Sequence, residues 1–245
     1  MHDELQRKLL LALREIASFY EKANTLMSLF TLNYIRKEAA RLVRSRGYNR
    51  VLDAGCGPGV MTKHFLNGGS SARLVVGLDP LEEMLVLFRA EVEKTGQLAE
   101  CVRGVFEYMP FRSGCFDLLF TAFALRDAKN ILKALLEFAR VLKKGSRALI
   151  LDLGKPRKPF LREALSLYIR IVPRIVGMLL AGWKGYRIYS TLYDTYEIYP
   201  STPRLLLMAR KTIGSARAYY LIFGGSCIIL CKKNCNMHAQ SREQR

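Results

Sequence analysis

Residues 51–59 read VLDAGCGPG: an apolar run with the character of a buried strand passes directly into glycines at 55, 57 and 59. A strand ending in a glycine turn that opens a helix belongs in an open α/β sheet, where ligands lie beyond the carboxyl ends of the strands against bare backbone. A tight strand-to-helix turn also requires glycine for steric reasons alone. The trio by itself therefore leaves open whether a ligand lies there.

The rest of the chain extends that pattern. Strand-like segments RVLDAG, RLVVGLD, LAECVRG, FDLLFTAF and RALILDL alternate with helical stretches from residue 60, over 81–93 and over 129–142. This predicts a parallel sheet covered on both faces. One helix is expected over residues 27–44. Beyond Gly154 the alternation stops. Residues 156–200 read as helices inserted over the sheet edge, a helix follows near 204–211, and ARAYYLIF and SCIILCKK around Gly224 and Gly225 read as a hairpin joining the sheet. A single domain is expected over residues 1–233, with N-terminal helices in 1–45, an insert over 155–200 and a polar, disordered tail over 234–245.

At 245 residues the chain is long enough to bury a full core, so no metal or disulfide is needed to hold it. The formal charge of +18 predicts attraction to polyanions, either nucleic acid or an anionic membrane. Six scattered cysteines suggest a reducing, cytoplasmic compartment. Cys227, Cys231 and Cys235 repeat every four residues, but the first two fall in a strand-like run with only His238 nearby, so no metal site is expected. The opening MHDELQRK carries acids where an export signal is basic. The longest uncharged run, 218–231, is too short to span a bilayer and is interrupted by two glycines, so no transmembrane segment is expected. Residues 5–20 form an amphipathic pattern that suits either packing over the domain or lying on a membrane surface.

Asp79 ends the second strand, about twenty residues after the last glycine, where a carboxylate can accept from both hydroxyls of a ribose. That pairing indicates a nucleoside-containing cofactor. The G-x-G-x-G spacing departs from the G-x-G-x-x-G favoured by a dinucleotide pyrophosphate, and Asp53 stands near the turn as a partner for a positively charged group.

VLDAGCGPG, GLDP, GVFEYMPF, FDLLFTAFALRD and FARVLKKGS together resemble the successive motifs of class I S-adenosylmethionine-dependent methyltransferases. More narrowly, they are similar to the UbiE/MenG-type ubiquinone and menaquinone biosynthesis C-methyltransferases. YIRIVPRIVG, YRIYSTLYDTYEIYP, RLLLMARKTI and the closing hairpin extend the resemblance over roughly residues 19–233. It implies a Rossmann-like α/β fold with a mostly parallel seven-stranded sheet, helices on both faces, a C-terminal antiparallel hairpin and a helical insert.

The resemblance implies S-adenosylmethionine as cofactor, held by Asp53, Gly55, Cys56, Gly57 and Gly59 after the first strand and by Asp79, Pro80 and Met84 after the second. Val105 and Phe106, then Thr121 and Ala122, complete that set. Val105 and Phe106 stand where relatives carry an acidic-Ala pair, which leaves adenine to backbone groups and apolar stacking. Arg126 is expected to stabilise a phenolate and Asp127 to take its proton, with Tyr186 as a third catalytic candidate. Tyr20, Asn24, Phe123 and Tyr189 are expected around the substrate, with Tyr168 as a further ring neighbour. The implied substrate is a lipophilic polyprenyl quinol, reached from the cytoplasmic side through peripheral contact with an anionic membrane. Oligomeric state is left open, a homodimer included. The charge keeps an RNA methyltransferase in view, although TAFALRD is not the Asn/Asp-Pro-Pro-aromatic motif of base N-methylation, which argues against nucleic acid. A non-catalytic cofactor-binding partner of a membrane complex is the third reading.

Overall fold

The computed structural model describes residues 20–45 and 47–235. The amphipathic stretch before Tyr20 and the tail from residue 236 lie outside them.

Five strands, β1 (Tyr48–Ala54), β2 (Ala72–Asp79), β3 (Ala99–Arg103), β4 (Phe116–Ala122) and β5 (Leu142–Leu153), run parallel. Two more, β6 (Gly214–Leu221) and β7 (Ser226–Lys233), run antiparallel, giving one sheet in the order β3-β2-β1-β4-β5-β7-β6. The reversed pair is the expected hairpin, and its return strand inserts between β5 and the edge. The 218–231 run forms this hairpin.

Neighbouring residues on each strand feed opposite layers. Val51, Val75, Phe120, Leu149 and Leu151 meet α2 (Leu32–Leu42), α3 (Val60–Asn67) and α4 (Glu82–Glu93) through Ile35, Phe65 and Phe88. Leu52, Leu119, Ala148 and Ile150 meet α5 (Ile131–Val141) and α7 (Thr202–Thr212) through Leu135, Phe138 and Leu205. Strands buried on both faces explain the near-continuous apolar runs, and each fully buried Leu or Phe contributes roughly 1.5–3 kcal/mol of transfer free energy. Asn130 caps α5 by accepting from the Lys133 N–H at 2.9 Å.

The helix expected over residues 27–44 begins only at Leu32, as α2, and a separate helix, α1 (Tyr20–Met27), precedes it. Between them the Ser28 hydroxyl donates to the Thr25 carbonyl and the Thr31 hydroxyl to the Ser28 carbonyl, an alternative to continued helix. Leu29 and Phe30 turn the chain with φ of 51° and 64°.

The insert is α6 (Pro159–Ile198), broken at Ala181 (φ −142°, ψ 21°) and Gly182 (φ 60°, ψ −149°) into two arms that fold back on each other. A Cβ at Gly177 or Gly185 would collide with the other's carbonyl, so both positions must be glycine for the arms to lie this close. Val176, Leu180, Ile188 and Tyr189 pack on Ala23 and Met27 of α1, and the Tyr168 hydroxyl donates to the Met27 carbonyl at 2.7 Å. Together α1 and α6 roof the carboxyl end of the sheet.

Candidate active site

The three glycines of the first turn have positive φ for different reasons. At Gly55 (φ 68°) a Cβ would lie 2.6 Å from the Ala124 Cβ and 2.7 Å from Phe106 Cζ, and at Gly59 (φ 82°) 3.1 Å from Phe88 Cδ2. At those two positions the chain itself comes close. Gly57 (φ 48°) has no atom within 4 Å of the corresponding point, and it borders a cavity of about 420 Å³. The bare backbone there is open to a ligand.

Asp79 fastens this turn to the next. Its Oδ2 accepts from Gly57 N–H and its Oδ1 from Leu81 N–H, both at 3.0 Å, while Gly55 and Cys56 N–H groups donate to the Leu78 carbonyl. Burial raises the Asp79 carboxyl to about 6 against these two stabilising donors. Asp53 is buried more completely. Loss of water raises it to about 7, the Thr62 hydroxyl at 2.7 Å pulls the other way, and the Asp79 charge adds to the rise. Burial also raises the Cys56 thiol well above its usual range. Among the described residues neither Asp53 nor Asp79 forms an ion pair with a Lys or Arg, and Arg36, the one cation whose charge lowers Asp53, bridges both Glu21 oxygens at 3.0 Å.

At the end of β4, Phe123 (φ 58°) turns the chain into a short 3-10 segment, Leu125–Asp127. The Arg126 guanidinium donates to Asp152 Oδ1 at 2.8 Å, and its Nε lies 3.7 Å from Asp127 Oδ1. Burial raises Asp127 to about 6, with Arg126 opposing and the Asp152 and Asp79 charges reinforcing the rise.

The cavity wall includes Asp53, Gly55, Cys56, Gly57, Asp79, Pro80, Met84, Val105, Phe106 and Ala122, together with Asn24, Phe123, Arg126 and Asp127. Gly59 stands one turn away, packed on Phe88 as the residue before α3. Thr121 is fully buried beside wall residue Ala122, as strand alternation requires. Tyr186 is not on the wall: its ring stacks on Trp183 with centroids 4.9 Å apart. Tyr189 is likewise off the wall and packs in the cluster between α1 and α6. Both tyrosines face the partner arm or α1 because the break at Gly182 sets the rotation of the second arm. Tyr168 does reach the cavity. The side chain of Tyr20 lies outside the described residues.

Sequence reading passed over Asp152, although an acid closing the apolar run RALILDL is the same signal that singled out Asp79. It also passed over the Glu21–Arg36 bridge, whose partners are fifteen residues apart, and Glu107, which accepts from Asn130 N–H and lines the cavity.

The residues present fit an adenosyl sulfonium compound. Gly57 leaves room against the backbone, Asp79 sits where a ribose diol can bond, Phe106 and Met84 offer apolar surface to a base, and buried Asp53 calls for positive charge.

Comparison with known proteins agrees. The sequence pattern of the ubiE/COQ5 methyltransferase family matches residues 4–233. The chain is 28% identical over 214 residues to a demethylmenaquinone methyltransferase of Lactococcus lactis, covering 87% of this chain and 84% of that one. It is 32% identical over 199 residues to the enzyme of the same name from Lactiplantibacillus plantarum, covering 80% and 83%. Among solved structures, a SAM-dependent methyltransferase of Thermotoga maritima superposes with a TM-score of 0.60 at 18% identity, covering 91% of this chain and 97% of that one. The plantazolicin methyltransferase BpumL, solved with SAH, gives 0.63 at 18% identity, covering 95% and 97%. The structural matches establish the Rossmann-like methyltransferase fold, and the sequence match sets the narrower group: this chain belongs to the ubiE/COQ5 methyltransferase family and is an enzyme that transfers a methyl group from S-adenosylmethionine.

Proposed function

We propose that this enzyme C-methylates the ring of a polyprenyl quinol precursor, a demethylmenaquinol-like molecule, in quinone biosynthesis. The named activity of its sequence relatives supports this reading. One structural observation carries it: the cavity that begins at Gly57 and the carboxylates continues to an apolar wall of Leu29, Leu165, Ile169, Pro173, Leu192 and Ile222. A polar cofactor and a greasy aromatic guest are thereby served by one space.

S-adenosylmethionine supplies an electrophilic methyl on a sulfonium. In this reading the chain supplies alignment, which is worth about 7–11 kcal/mol when reacting atoms are held in line. Gly57 and Asp79 seat the ribose, Asp53 balances the positive end, and Phe106 and Met84 flank the base. Arg126 stabilises the phenolate, and Asp127, raised to about 6 by burial, accepts the phenol proton. The phenolate would direct electron density to the adjacent ring carbon, which would take the methyl as its bond to sulfur breaks and the neutral thioether leaves; the proton on that ring carbon would pass to water, and Asp127 would return its proton to the phenolate oxygen. The domain over residues 1–233 acts as one unit, working as a peripheral protein on the cytoplasmic face of the membrane.

The test is incubation with labelled S-adenosylmethionine and lipid extract from a strain deficient in quinone methylation. A quinone heavier by one methyl is the expected product. Label in RNA, or cofactor binding with no labelled quinone, would overturn the reading.

A further inference from the structure

The first arm of α6, residues 159–180, is apolar on two opposed faces. Leu165, Ile169 and Pro173 line the cavity. Phe160, Leu167, Ile171, Ile175, Met178 and Leu179 repeat at three- and four-residue intervals on the outside, where they are exposed. A helix at a protein surface ordinarily turns polar residues outward. By length and composition α6 could cross a membrane, yet only 17% of its most apolar window is buried in the protein. The break at Ala181 and Gly182 reverses the chain, so the apolar stripe ends at a tip instead of continuing through a bilayer. At that tip stand Leu179, 80% exposed, and Trp183, 63% exposed and stacked on Tyr186.

Two apolar knuckles flank the same arm at the cavity mouth. Leu29 and Ile222 line the cavity, while their successors Phe30 and Phe223 are not part of its wall and are 69% and 88% exposed. All four residues have φ between 48° and 64°, a conformation non-glycine residues rarely adopt. The first knuckle is tied to the arm by the Tyr168–Met27 hydrogen bond, and the second by Gly225 lying against Leu165.

The charge around this surface selects its partner. Between residues 155 and 190 the chain carries eight Lys or Arg and a single acid, Glu163. Arg174 lies over the Tyr186 ring and Arg170 over Tyr193, which holds cations at the border of the apolar stripe. Apolar side chains bordered by cations, with Trp and Tyr at the boundary, match an anionic bilayer interface. We propose that the α6 hairpin, together with the Leu29–Phe30 and Ile222–Phe223 knuckles, inserts shallowly into an anionic bilayer and sets the cavity mouth at the boundary between headgroups and acyl chains. The proposal deepens the lipid-quinol reading and rests on it for its purpose, since a prenylated guest would enter without crossing water.

Trp183 is the sole tryptophan, so its fluorescence reports on the tip alone. Full-length protein is mixed with quinol-free vesicles, either pure phosphatidylcholine or an equal mixture with phosphatidylglycerol, with and without brominated acyl chains. The expected result is a blue shift on the anionic vesicles, quenching by the brominated lipid, and binding weaker by about tenfold or more on neutral vesicles or in high salt. An Ile171→Asp/Ile175→Asp variant, with unchanged circular dichroism, should lose vesicle binding yet methylate a short-chain, water-soluble quinol at the wild-type rate. Trp183 emission indifferent to anionic vesicles, or a dimer that buries this stripe and excludes lipid, would overturn the proposal. Because the vesicles contain no quinol, that outcome is independent of whether the substrate assignment holds.

Discussion

Asp152 holds Arg126 at both ends: its Oδ1 accepts from the guanidinium at 2.8 Å and its Oδ2 from the Arg126 backbone N–H at 3.2 Å. The carboxylate is fully buried, so the pair fixes the direction in which the remaining guanidinium donors face. Asp152→Asn keeps an acceptor for the backbone and removes the charge. The expected outcome is a kcat lower by roughly 10²-fold with little change in KM for S-adenosylmethionine, because a misaimed group near the reacting atoms costs about that much. Steady-state kinetics on a quinol analogue would check it, and an unchanged kcat would remove Arg126 from the chemistry.

Gly55 and Gly57 should respond oppositely to alanine. At Gly55 the new methyl meets Ala124 and Phe106 inside van der Waals distance, and overpacking costs typically about 1–3 kcal/mol in addition to the left-handed φ. At Gly57 it meets nothing, so stability should fall only by about 1–2 kcal/mol of backbone strain. The cofactor should feel the reverse. Thermal denaturation paired with calorimetric titration is expected to show Gly55→Ala as the less stable protein and Gly57→Ala as the folded protein with the larger loss of affinity.

Cofactor affinity should depend on pH. A cation binds the ionised form of Asp53, and that form becomes abundant only as pH rises through about 7. Affinity should therefore increase between pH 6 and 7.5, then level off, with proton release on binding at the lower end. Titration calorimetry in buffers of different ionisation enthalpy measures the released proton. Asp53→Asn should bind weakly at every pH and release none through this group.

The same burial shapes the stability of the free enzyme. Asp53, Asp79 and Asp127 have folded values raised to about 7, 6 and 6, so between the ordinary carboxylate range near 4 and pH 7 the native state holds more protons than the unfolded chain. Their contribution is greatest below that range and declines as pH rises through the folded values. Asp53→Asn should thus raise Tm relative to wild type at pH 8 more than at pH 5. Paired melts at the two pH values isolate this difference from the background of surface charge.

Much of this arrangement was legible in the residues. The strand and helix order of the sheet follows from apolar runs and glycine turns; Asp53 and Asp79 stand out at the ends of the first two strands, whereas Arg126 and Asp127 are marked by the resemblance of FDLLFTAFALRD to a family motif. Asp152 met the strand-end criterion and was overlooked among apolar neighbours. The tyrosines were harder. Tyr186 and Tyr189 lie beyond the break at Gly182, and the orientation of everything after that break depends on how closely Gly177 and Gly185 approach, which local sequence does not encode. The turn that delays α2 to Leu32 is hidden for a related reason: Leu29 and Phe30 are poor residues for a left-handed conformation, so nothing local marks it.

Asp53, Asp79 and Asp152 hang from strand ends and are secured to neighbouring main chain or to one another's turns, while the roof over the guest comes from α1 and the folded-back α6. Outside the cavity the roof is anchored to the sheet half at points such as the Tyr196 hydroxyl on the Gly154 carbonyl and Leu165 against Gly225, so a lineage that keeps those anchors could rewrite the rest of the roof without disturbing the methyl donor's seat. Grafting a relative's segment 159–198 onto this sheet is accordingly the shortest path to an altered choice of acceptor.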